Sequence, residues 1–485
     1  MSEIVKADIC VIGGGSGGLS VAAGASQMGA ETVLVEKGEM GGDCLNVGCV
    51  PSKSILAAAH HAQNARDGAT FGVNGHEPAI DFAAVHKHVK GVIANIAPHD
   101  SVERFEGLGV KVIKDTAAFT GPRELKAGDQ IVRAKRFVIA TGSSPMVPPV
   151  PGIEDVPHLT NETVFELAER PEHLVIIGGG PIGLEMAQAF RRLGAKVTVI
   201  EMFRALAKDD PEAAQVVVTR LRREGVEILE ETKVQSVANL VRNGNGSPKG
   251  VAVTVECPEE QGGERRVIQG SHLLVAAGRT PSVASLNLEA AGVDYDRKGI
   301  TVDERLRTSN KRIFAIGDVA GAYQFTHVAG YHAGIVIRNA LFRLPAKVDY
   351  RAVPWVTYTE PELAQVGMTE AQAREAERDI RILRWRFEEN DRAQAERETE
   401  GFIKVVTSKR GRILGATIVG SHAGDLLMPW IMAVQQKQKI GAIANLIAPY
   451  PTVSEVSKRV AGSFYTGALF SDRTRRVVRF LNMLG

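Results

Sequence analysis

The sequence is poor in cysteine, has almost no net charge and lacks long apolar runs. Four cysteines in 485 residues are too few for a structural disulfide framework. A formal net charge of +2 gives no reason to expect a nucleic acid or an acidic partner. No apolar run is long enough to span a membrane, and a strand pattern begins almost at the N-terminus, which leaves no room for a signal peptide. We therefore expect a cytoplasmic protein, with a length typical of about three domains.

The four cysteines fall into two groups. Cys10 lies inside an apolar run and Cys257 at a predicted strand end, so we expect both to be structural residues. Cys44 and Cys49 are five positions apart in a glycine-containing segment. No further Cys or His pair completes a tetrahedral site, so we expect no metal there and interpret the pair as redox-active.

One internal repeat organises the chain. Residues 12–36 (IGGGSGGLSVAAGASQMGAETVLVE) and 177–201 (IGGGPIGLEMAQAFRRLGAKVTVIE) align without a gap. Each copy predicts a strand, a glycine-rich turn, a helix and a second strand. The first glycine permits a tight turn, the second lets the backbone approach a pyrophosphate, and the third lets the helix pack closely on the strand.

The end of each copy predicts what binds there. Glu36 and Glu201 close the second strands, where a carboxylate can accept hydrogen bonds from a ribose diol. The repeat therefore predicts two dinucleotide sites, one for FAD and one for NAD(P)H. The charge of Glu201 would repel a 2′-phosphate and favours NADH, although Arg204 lies nearby.

Changes of pattern along the chain predict an α/β fold of three domains. Strand-and-turn segments near residues 136–142 and 313–318 assign 1–150 and 280–347 to one dinucleotide-binding domain. The second dinucleotide-binding domain, 151–279, would be inserted in it, with hairpin turns at 243–246 and 259–263. Residues 348–485 would form a third, α+β domain. Its charged stretch 374–400 is interpreted as a solvated face.

The spacing of Cys44 and Cys49 constrains the local backbone. In a regular α-helix, residues five apart have Cα atoms roughly 8–9 Å apart. A disulfide tolerates about 7 Å. We therefore predict a distorted first helical turn, with Gly48 as the point where the backbone bends.

The whole chain resembles the FAD-dependent pyridine nucleotide-disulfide oxidoreductases, the group of dihydrolipoyl dehydrogenase, glutathione reductase and mercuric reductase. The motifs occur in that family's order over nearly the full length: GGGSGG at 13–18, GGDCLNVGCVPSK at 41–53, ATGS at 140–143, GGGPIGLE at 178–185, AAGRTP at 276–281, AIGDV at 315–319 and YTEPELAQVG at 358–367. The resemblance implies two Rossmann-like domains, with the NAD domain inserted in the FAD domain, and a C-terminal dimerisation domain.

The resemblance also implies roles. Cys49 matches the cysteine nearest the flavin, and Cys44 matches the outer thiol that meets the substrate. Lys53 and Glu185 match an ion pair beside the flavin, where a lysine can stabilise developing negative charge. The implied FAD contacts are Gly13, Gly15, Ser16, Gly17, Gly18, Glu36, Lys37, Gly42, Asp43, Lys53, Ala117, Thr141, Gly142, Ser143, Gly317, Asp318 and His327. The implied NAD(P) contacts are Gly178, Gly180, Pro181, Ile182, Gly183, Glu201, Val234 and Gly278.

The sequence departs from the family pattern on the acceptor side. Where the lipoyl and glutathione members carry an acid-base histidine followed by an orienting glutamate, this chain has Tyr450 and Glu455. An unperturbed tyrosine has a pKa near 10 and is a poor base at neutral pH. His327 and His422 are the alternative bases. GGDCLN and the tyrosine resemble mercuric reductase, but no cysteine follows Cys257, so the second cysteine pair of those enzymes is missing.

The acceptor therefore stays open between three alternatives. The first is a thiol, disulfide or lipoyl group, as in dihydrolipoyl dehydrogenase. The second is a metal ion or a small oxidant, and the third is a lipoyl-carrier complex of which this protein is a dedicated flavoprotein component. A homodimer is implied by the resemblance. The basic, amphipathic tail 473–484 is expected to pack on that dimer, with a partner protein or an anionic membrane as alternatives.

Overall fold

The computed structural model describes residues 3–240, 250–257, 263, 265–376 and 379–484. The predicted hairpin turns at 243–246 and 259–263 lie outside the described residues, Gly263 excepted. No helix within the described ranges is both long and apolar enough to cross a membrane. Contacts divide the chain into two compact units: Met1–Gly179, Met186–Met202 and Glu231–Val348 form the first, and Gly180–Glu185, Phe203–Glu230 and Asp349–Gly485 the second.

Strands and helices alternate through most of the chain. The strands are β1 (Glu3–Ile12), β2 (Thr32–Val35), β3 (Val110–Ile113), β4 (Ala117–Gly121), β5 (Glu124–Ala127), β6 (Gln130–Ile139), β7 (Ser143–Pro145), β8 (His173–Ile177), β9 (Lys196–Ile200), β10 (Glu227–Leu229), β11 (Lys233–Asn239), β12 (Val251–Glu256), β13 (Arg265–Gly270), β14 (His272–Val275), β15 (Arg279–Pro281), β16 (Tyr295–Asp296), β17 (Gly299–Ile300), β18 (Ile313–Ala315), β19 (Pro354–Thr357), β20 (Glu362–Gly367), β21 (Ile380–Arg386), β22 (Phe402–Ser408) and β23 (Ile413–Gly420).

The helices are α1 (Ser16–Gln27), α2 (Gly42–Asn46), α3 (Cys49–Asp67), α4 (Phe82–Ile96), α5 (Val102–Gly107), α6 (Pro181–Arg192), α7 (Pro211–Arg223), α8 (Leu288–Ala291), α9 (Thr326–Ala340), α10 (Glu370–Ala376), α11 (Asp391–Glu396), α12 (Ala423–Leu426), α13 (Met428–Gln435), α14 (Gly441–Ala444), α15 (Glu455–Leu469) and α16 (Asp472–Leu481). Short 3₁₀ turns cover Gly68–Phe71, Ala97–Asp100, Ile153–Asp155, Val164–Glu166, Gly317–Ala320 and Phe387–Glu389.

A seven-stranded sheet forms the centre of the first unit. Its order is β3-β2-β1-β6-β5-β4, and the late strand β18 pairs with β6. The pairs of β1 with β2 and β6, of β2 with β3 and of β18 with β6 are parallel. The run Ile9–Ile12 is buried, as expected for a parallel strand that is covered on both faces. Cys10 is part of this core, as predicted.

The second copy of the repeat forms its own sheet. β8 pairs in parallel with both β9 and β14. An antiparallel meander of β11, β12 and β13 follows. Both copies therefore fold as a strand, a turn, a helix and a strand (β1-α1-β2 and β8-α6-β9), and the predicted α/β class is confirmed. The domain boundaries given above stay predictions.

The second unit contains a five-stranded sheet of order β19-β20-β23-β22-β21. Its strand pairs are antiparallel. Helices α13 and α15 contribute to one core with this sheet, in which Trp430 is fully buried. The indole N–H of Trp430 donates to Ser457 Oγ at 3.0 Å, so the polar atom of this large side chain is satisfied. This arrangement of helices on an antiparallel sheet is the predicted α+β fold.

Candidate active site

The first glycine-rich turn, between β1 and α1, has two positions that no side chain could occupy. Gly13 has φ +109°, and a Cβ there would lie 2.3 Å from the Ala140 carbonyl oxygen. A Cβ on Gly18 would lie 1.9 Å from the Gly13 carbonyl oxygen. The first and third glycines of the motif are thus required by the turn itself and by the close approach of the helix.

Gly15 differs from these two positions. A Cβ on Gly15 would find only Gly42 Cα within 4 Å, at 3.8 Å, so the protein itself does not exclude a side chain. The space in front of Gly15 is the cradle that a pyrophosphate needs at the N-terminus of α1. The Glu36 carboxylate accepts the Gly14 N–H at 2.5 Å and the Gly38 N–H at 2.5 Å, which holds it beside the turn. These residues fit a bound dinucleotide.

The cysteine segment lies directly against this turn. Gly41 N–H donates to the Gly14 carbonyl at 2.9 Å, and Gly41 forms an isolated β-bridge with Gly15. Gly42 has φ +60°, and a Cβ there would lie 2.7 Å from Gly15 Cα. The segment therefore starts beside the first glycine-rich turn.

The backbone between the two cysteines departs from a regular helix, as predicted. Cys44 lies in α2, which ends at Asn46, and Cys49 is the first residue of α3. Gly48, between them, has φ −130° and ψ −113°, outside the helical region. A Cβ on Gly48 would lie 2.8 Å from the Asp43 carbonyl oxygen. The bend thus needs a glycine because the chain folds back on itself there.

The two thiols share a hydrogen bond, and the Thr326 hydroxyl contacts both. Cys49 Sγ lies 3.5 Å from Thr326 Oγ1. The hydrogen bond to the Cys49 side chain raises the pKa of Cys44, burial raises it further, and the hydrogen bond from Thr326 acts in the opposite direction. In the reduced pair, the Cys44 thiol therefore holds its proton against the Cys49 sulfur. Thr326 begins α9, so its hydroxyl and the helix N-terminus both favour negative charge on the pair.

Arg279 ties the cysteine segment to the neighbouring turn. Its guanidinium forms an ion pair with Asp43, the residue before Cys44. It also donates to Ser143 Oγ at 2.7 Å, to the Ser143 carbonyl at 2.8 Å and to Asn161 Oδ1 at 3.3 Å. Asn161 Nδ2 in turn donates to the Val47 carbonyl at 3.2 Å. The network therefore holds the segment on both sides of Cys44. We call these residues, Asp43, Arg279, Ser143 and Asn161, the arginine clasp.

The sequence did not indicate the roles of Arg279, Asn161 or Thr326. Arg279 belongs to the AAGRTP motif, which was the available signal, but the motif did not say what the arginine contacts. Asn161 and Thr326 lie in no motif. All three contacts join residues more than a hundred positions apart in the chain.

The remaining residues predicted to contact FAD gather near the same turn or along the same sheet. Ser143 Oγ donates to Asp318 Oδ2 at 2.5 Å, and burial raises the pKa of Asp318. Thr141 Oγ1 donates to the Ser282 carbonyl at 2.8 Å, and the Gly142 carbonyl accepts the Ser282 N–H at 3.0 Å. The other members are placed as follows: Ser16, Gly17 and Gly18 begin α1, Lys37 is exposed after β2, Ala117 is buried at the start of β4, and Gly317 begins a 3₁₀ turn.

Two histidines lie in α9. His327 is exposed, and its ring stacks on Phe325 with centroids 5.2 Å apart. His332 is buried and was not predicted. Its Nδ1 accepts the Gly317 N–H at 3.1 Å, and burial lowers its pKa to about 4. His332 is thus neutral at physiological pH and fixes the backbone next to Asp318.

The second glycine-rich turn repeats the geometry of the first. Gly178 has φ +116°, and a Cβ there would lie 2.4 Å from the Ala276 carbonyl oxygen. The Glu201 carboxylate accepts the Gly179 N–H at 2.6 Å, as Glu36 does with Gly14. A Cβ on Gly180 would meet no atom of the described residues within 4 Å, so this position leaves space for a ligand.

The other predicted NAD(P) residues lie in three elements. Pro181, Ile182 and Gly183 form the start of α6, and Ile182 is exposed. Val234 lies in β11, just before a break in its register with β12. Gly278 has φ +137°, and its carbonyl accepts the Met146 N–H at 2.9 Å.

Lys53 and Glu185 lie in two different helices, and each has a hydrogen-bond partner there or nearby in the chain's fold. Lys53 lies half-buried in α3, where its Nζ donates to Ser52 Oγ at 3.4 Å. Glu185 is buried in α6 and accepts the Tyr358 N–H at 3.0 Å. The ion pair between them stays a prediction.

The residues predicted for the acceptor side, Tyr450 and Glu455, lie in the second unit. Tyr450 is 68% exposed, and its hydroxyl donates to Asp391 Oδ2 at 2.9 Å. This hydrogen bond and the Asp391 charge raise the pKa of Tyr450, and the charge of Glu455 acts in the same direction. Tyr450 is therefore an even poorer base than an isolated tyrosine. Asp391 belongs to the stretch that we interpreted as a solvated face, so this contact was missed.

His422, one of the two alternative bases, is exposed at the start of α12 with φ +55°. Its charge lowers the pKa of Glu362, while burial, the larger effect, raises it. The Glu362 carboxylate accepts the Gly424 N–H at 2.8 Å. His422 thus belongs to a local cluster around α12.

Two family models match the chain. Residues 7–333 match the pyridine nucleotide-disulphide oxidoreductase model, and residues 353–461 match the dimerisation domain of the same name. Together these matches cover both copies of the repeat, the cysteine segment and the five-stranded sheet.

The relatives include mercuric reductases and dihydrolipoyl dehydrogenases. Mercuric reductase of Staphylococcus aureus is 36% identical over 460 residues, which cover 94% of this chain and 82% of that protein. Dihydrolipoyl dehydrogenase of Geobacillus stearothermophilus is 34% identical over 466 residues, which cover 94% and 96%. A solved Cu(II) complex of the HOCl-induced flavoprotein disulfide reductase RclA from Escherichia coli superposes with a TM-score of 0.83 at 28% identity, covering 94% of this chain and 99% of that one.

Proposed function

Because the chain belongs to the pyridine nucleotide-disulphide oxidoreductase family, we propose that it carries electrons from NAD(P)H, through FAD, to a Cys44–Cys49 disulfide and on to an outside acceptor. The observation that carries this proposal is the helix break at Gly48, which brings the two sulfurs into hydrogen-bond contact beside the first dinucleotide turn. Bound FAD supplies a two-electron relay between the nicotinamide and the disulfide.

The chemistry on the protein side is a disulfide reduction. A hydride equivalent from NAD(P)H and one proton convert the Cys44–Cys49 disulfide into two thiols. Thr326 stabilises the reduced pair through its hydroxyl, and Cys44, once deprotonated, attacks an incoming disulfide. The products are a mixed disulfide, then the reformed Cys44–Cys49 bond and two acceptor thiols. The proposed acceptor class is therefore a small disulfide or a lipoyl group.

A second candidate acceptor is a soft metal ion such as Hg²⁺, or another small oxidant. Tyr450 favours it, because disulfide exchange needs a group that moves a proton at the acceptor sulfur, and the raised pKa of Tyr450 makes it unsuited to that task. Reduction of Hg²⁺ by NADH yields Hg⁰, NAD⁺ and a proton, and no proton is delivered to the metal. The mercuric reductase relatives point to the same class.

A steady-state panel separates the two candidates. NADH oxidation is measured with lipoamide, glutathione disulfide and Hg²⁺ for the native protein, Tyr450→His and Tyr450→Phe. Acid-base help is typically worth about 10²–10⁴ in rate. If a disulfide is the acceptor but turnover lacks a base, Tyr450→His raises lipoamide turnover at least tenfold while Tyr450→Phe matches the native rate. A Hg²⁺ rate above both disulfide rates, unchanged in Tyr450→Phe, supports the metal candidate.

Two controls tie this panel to the cysteines. Cys44→Ser should abolish turnover with every acceptor in the panel. Cys49→Ser should also remove the long-wavelength charge-transfer absorbance that a thiolate beside an oxidised flavin produces in the two-electron-reduced protein. Native-level turnover in Cys44→Ser would refute the relay.

Two further assignments belong to the proposal. NADH is the proposed donor, supported by the Glu201 carboxylate, which the Gly179 N–H holds at the end of β9, where a 2′-phosphate would meet its charge. A homodimer is the proposed assembly, supported by the match of residues 353–461 to a dimerisation domain. Sedimentation of the FAD-loaded protein tests the assembly, and a monomer would refute it.

A further inference from the structure

Helix α16 contains none of the residues of the candidate active site described above. The match to the dimerisation domain ends at residue 461, and α16 (Asp472–Leu481) begins after a gap of ten residues. Within the described chain, no residue of α16 is buried. Phe480 is 61% exposed, and Val477, Val478 and Leu481 are exposed to a similar degree. A short helix with four large exposed apolar side chains needs a surface to cover them.

The side chains of α16 divide into two faces. With 3.6 residues per turn, Val477, Val478, Phe480 and Leu481 occupy one side of the helix. Arg475, Arg476 and Arg479 occupy the opposite side. Arg473, in the first turn, falls within the apolar side of the helix, between the directions of Phe480 and Val477. With four arginines against the single acidic residue Asp472, the helix is strongly basic as well as amphipathic.

The start of α16 is fixed to the preceding helix. Ser471 Oγ accepts the Thr474 N–H at 3.2 Å, which caps the first turn. Thr474 Oγ1 and Ser471 Oγ both donate to the Ala468 carbonyl at the end of α15, each at 2.8 Å. The first turn of α16 is therefore capped by Ser471 and hydrogen-bonded to the end of α15.

We propose that α16 docks this protein on an anionic lipid surface. An interfacial helix places apolar side chains at the boundary of the acyl chains while its cationic residues stay among the headgroups, and α16 has both sets on opposite faces. Charge decides between the possible occupants. A second copy packed through the apolar face would cover the four apolar side chains but would leave the arginines of both copies facing outward without counter-charges, whereas anionic headgroups neutralise them.

Vesicle co-sedimentation of the full-length, FAD-loaded protein tests the proposal. The vesicles contain phosphatidylcholine alone, or phosphatidylcholine with about one phosphatidylglycerol in three lipids, since charge density sets the attraction. The native protein should bind the mixed vesicles, and added salt should weaken the binding. Each arginine near such a surface is worth about 1 kcal/mol, so Arg475→Gln, Arg476→Gln and Arg479→Gln together should weaken binding roughly 100-fold.

A matched variant separates insertion from simple charge attraction. Arg479→Leu combined with Leu481→Arg keeps the composition and the net charge but moves an arginine to the centre of the apolar face. It should lose most vesicle binding. If it binds as the native protein does, α16 acts only as a cationic tag and the proposal of an interfacial helix is wrong.

The last experiment tests a protein from which residues 471–485 are deleted. The truncated protein should lose vesicle binding. It should keep its rate of NADH oxidation in solution and its oligomeric state, as measured by sedimentation. Native-level vesicle binding by the truncated protein overturns the proposal. So does dissociation of a dimer into monomers on truncation, because α16 would then be covered by a second copy of the chain.

Discussion

The arginine clasp makes a prediction that links stability to the chemistry of the cysteine pair. In Arg279→Met, the side-chain length is roughly kept, but the charge and the hydrogen bonds donated to Asp43, Ser143 and Asn161 are lost. Arg279 is only 15% exposed, whereas its partner Asp43 is 40% exposed. We expect the cysteine segment to lose its attachment on both sides of Cys44, at Asp43 and, through Asn161, at Val47.

The size of the effect follows from these exposures. The ion pair with the half-exposed Asp43 contributes at most about 1 kcal/mol, because solvent screens it. The hydrogen bonds from the buried guanidinium to Ser143 and Asn161 are worth more, since a hydrogen bond from a charged donor contributes about 1.5–3 kcal/mol. Allowing for water that replaces part of them, we expect a loss of about 3 kcal/mol and a drop of about 5 °C in the thermal midpoint.

Two assays report the two consequences. Differential scanning fluorimetry measures the thermal midpoint, and iodoacetamide labelling followed by mass spectrometry measures the reactivity of Cys44 and Cys49 in the reduced protein. A loosened segment should label several times faster. The matched control is Arg307→Met, because Arg307 also pairs with a carboxylate, Asp303, at 2.8 Å. That control should lower stability without changing the labelling rates.

The outcome that would refute this reasoning is equally specific. If Arg279→Met labels at the native rate while Arg279→Met and Arg307→Met lose similar stability, then Arg279 is an ordinary structural arginine. If neither the midpoint nor the labelling changes, the clasp does not exist in solution. Arg279→Lys should recover only part of the effect, because a lysine cannot reach several acceptors with a fixed planar fork.

Three further predictions concern single side chains. Thr326→Val should raise the apparent pKa of the reduced thiols, read from labelling rate against pH, by roughly 0.7 units, because a hydrogen bond worth about 1 kcal/mol is lost; Thr326→Ser should titrate as the native protein does, and a native titration in Thr326→Val would exclude the contact. Glu201→Ala should lower the ratio of kcat/KM for NADH to that for NADPH, and an unchanged ratio would leave the NADH preference without a basis. The pKa of His332 is lowered by burial from 6.5 to about 4, so the folded state binds fewer protons than the unfolded state between these values. Stability should therefore be complete above pH 6.5 and fall by about 3 kcal/mol as pH drops towards 4, and His332→Gln should flatten that dependence in thermal midpoints measured across the range.

The parts of the fold that the sequence predicted are those with local causes. The glycines of the repeat are needed because backbone atoms lie too close for a side chain, and this requirement leaves a pattern that repeats at equal spacing. The break at Gly48 followed from the reach of a disulfide alone. Both inferences use only a few consecutive residues, so they do not depend on how the rest of the chain folds.

The contacts that the sequence could not predict join distant positions. Arg279 lies 236 residues from Asp43, and Asp391 lies 59 residues from Tyr450. Arginine and aspartate are common at solvated surfaces, and no local pattern tells which of them meet after folding. The stretch 374–400 shows the consequence. Its composition favoured a solvated face, and Asp391 is exposed, but the composition did not show that this carboxylate accepts from Tyr450.

The environment of Tyr450 bears on the choice between the two proposed acceptors. Its phenol is already a donor to Asp391, and the neighbouring negative charges raise its pKa, so it cannot take a proton from a thiol near neutral pH. The pKa of Cys44 is raised as well, by its hydrogen bond to the Cys49 side chain and by burial. A disulfide acceptor must gain protons at its sulfurs with each turnover, whereas a soft metal ion that takes up electrons gains none, although both need the Cys44 thiol to lose its proton. On the proposed acceptor-side role of Tyr450, an acceptor of the second class thus needs no proton from that side chain. A fast lipoamide rate in the native protein would show that the proton is moved by another group.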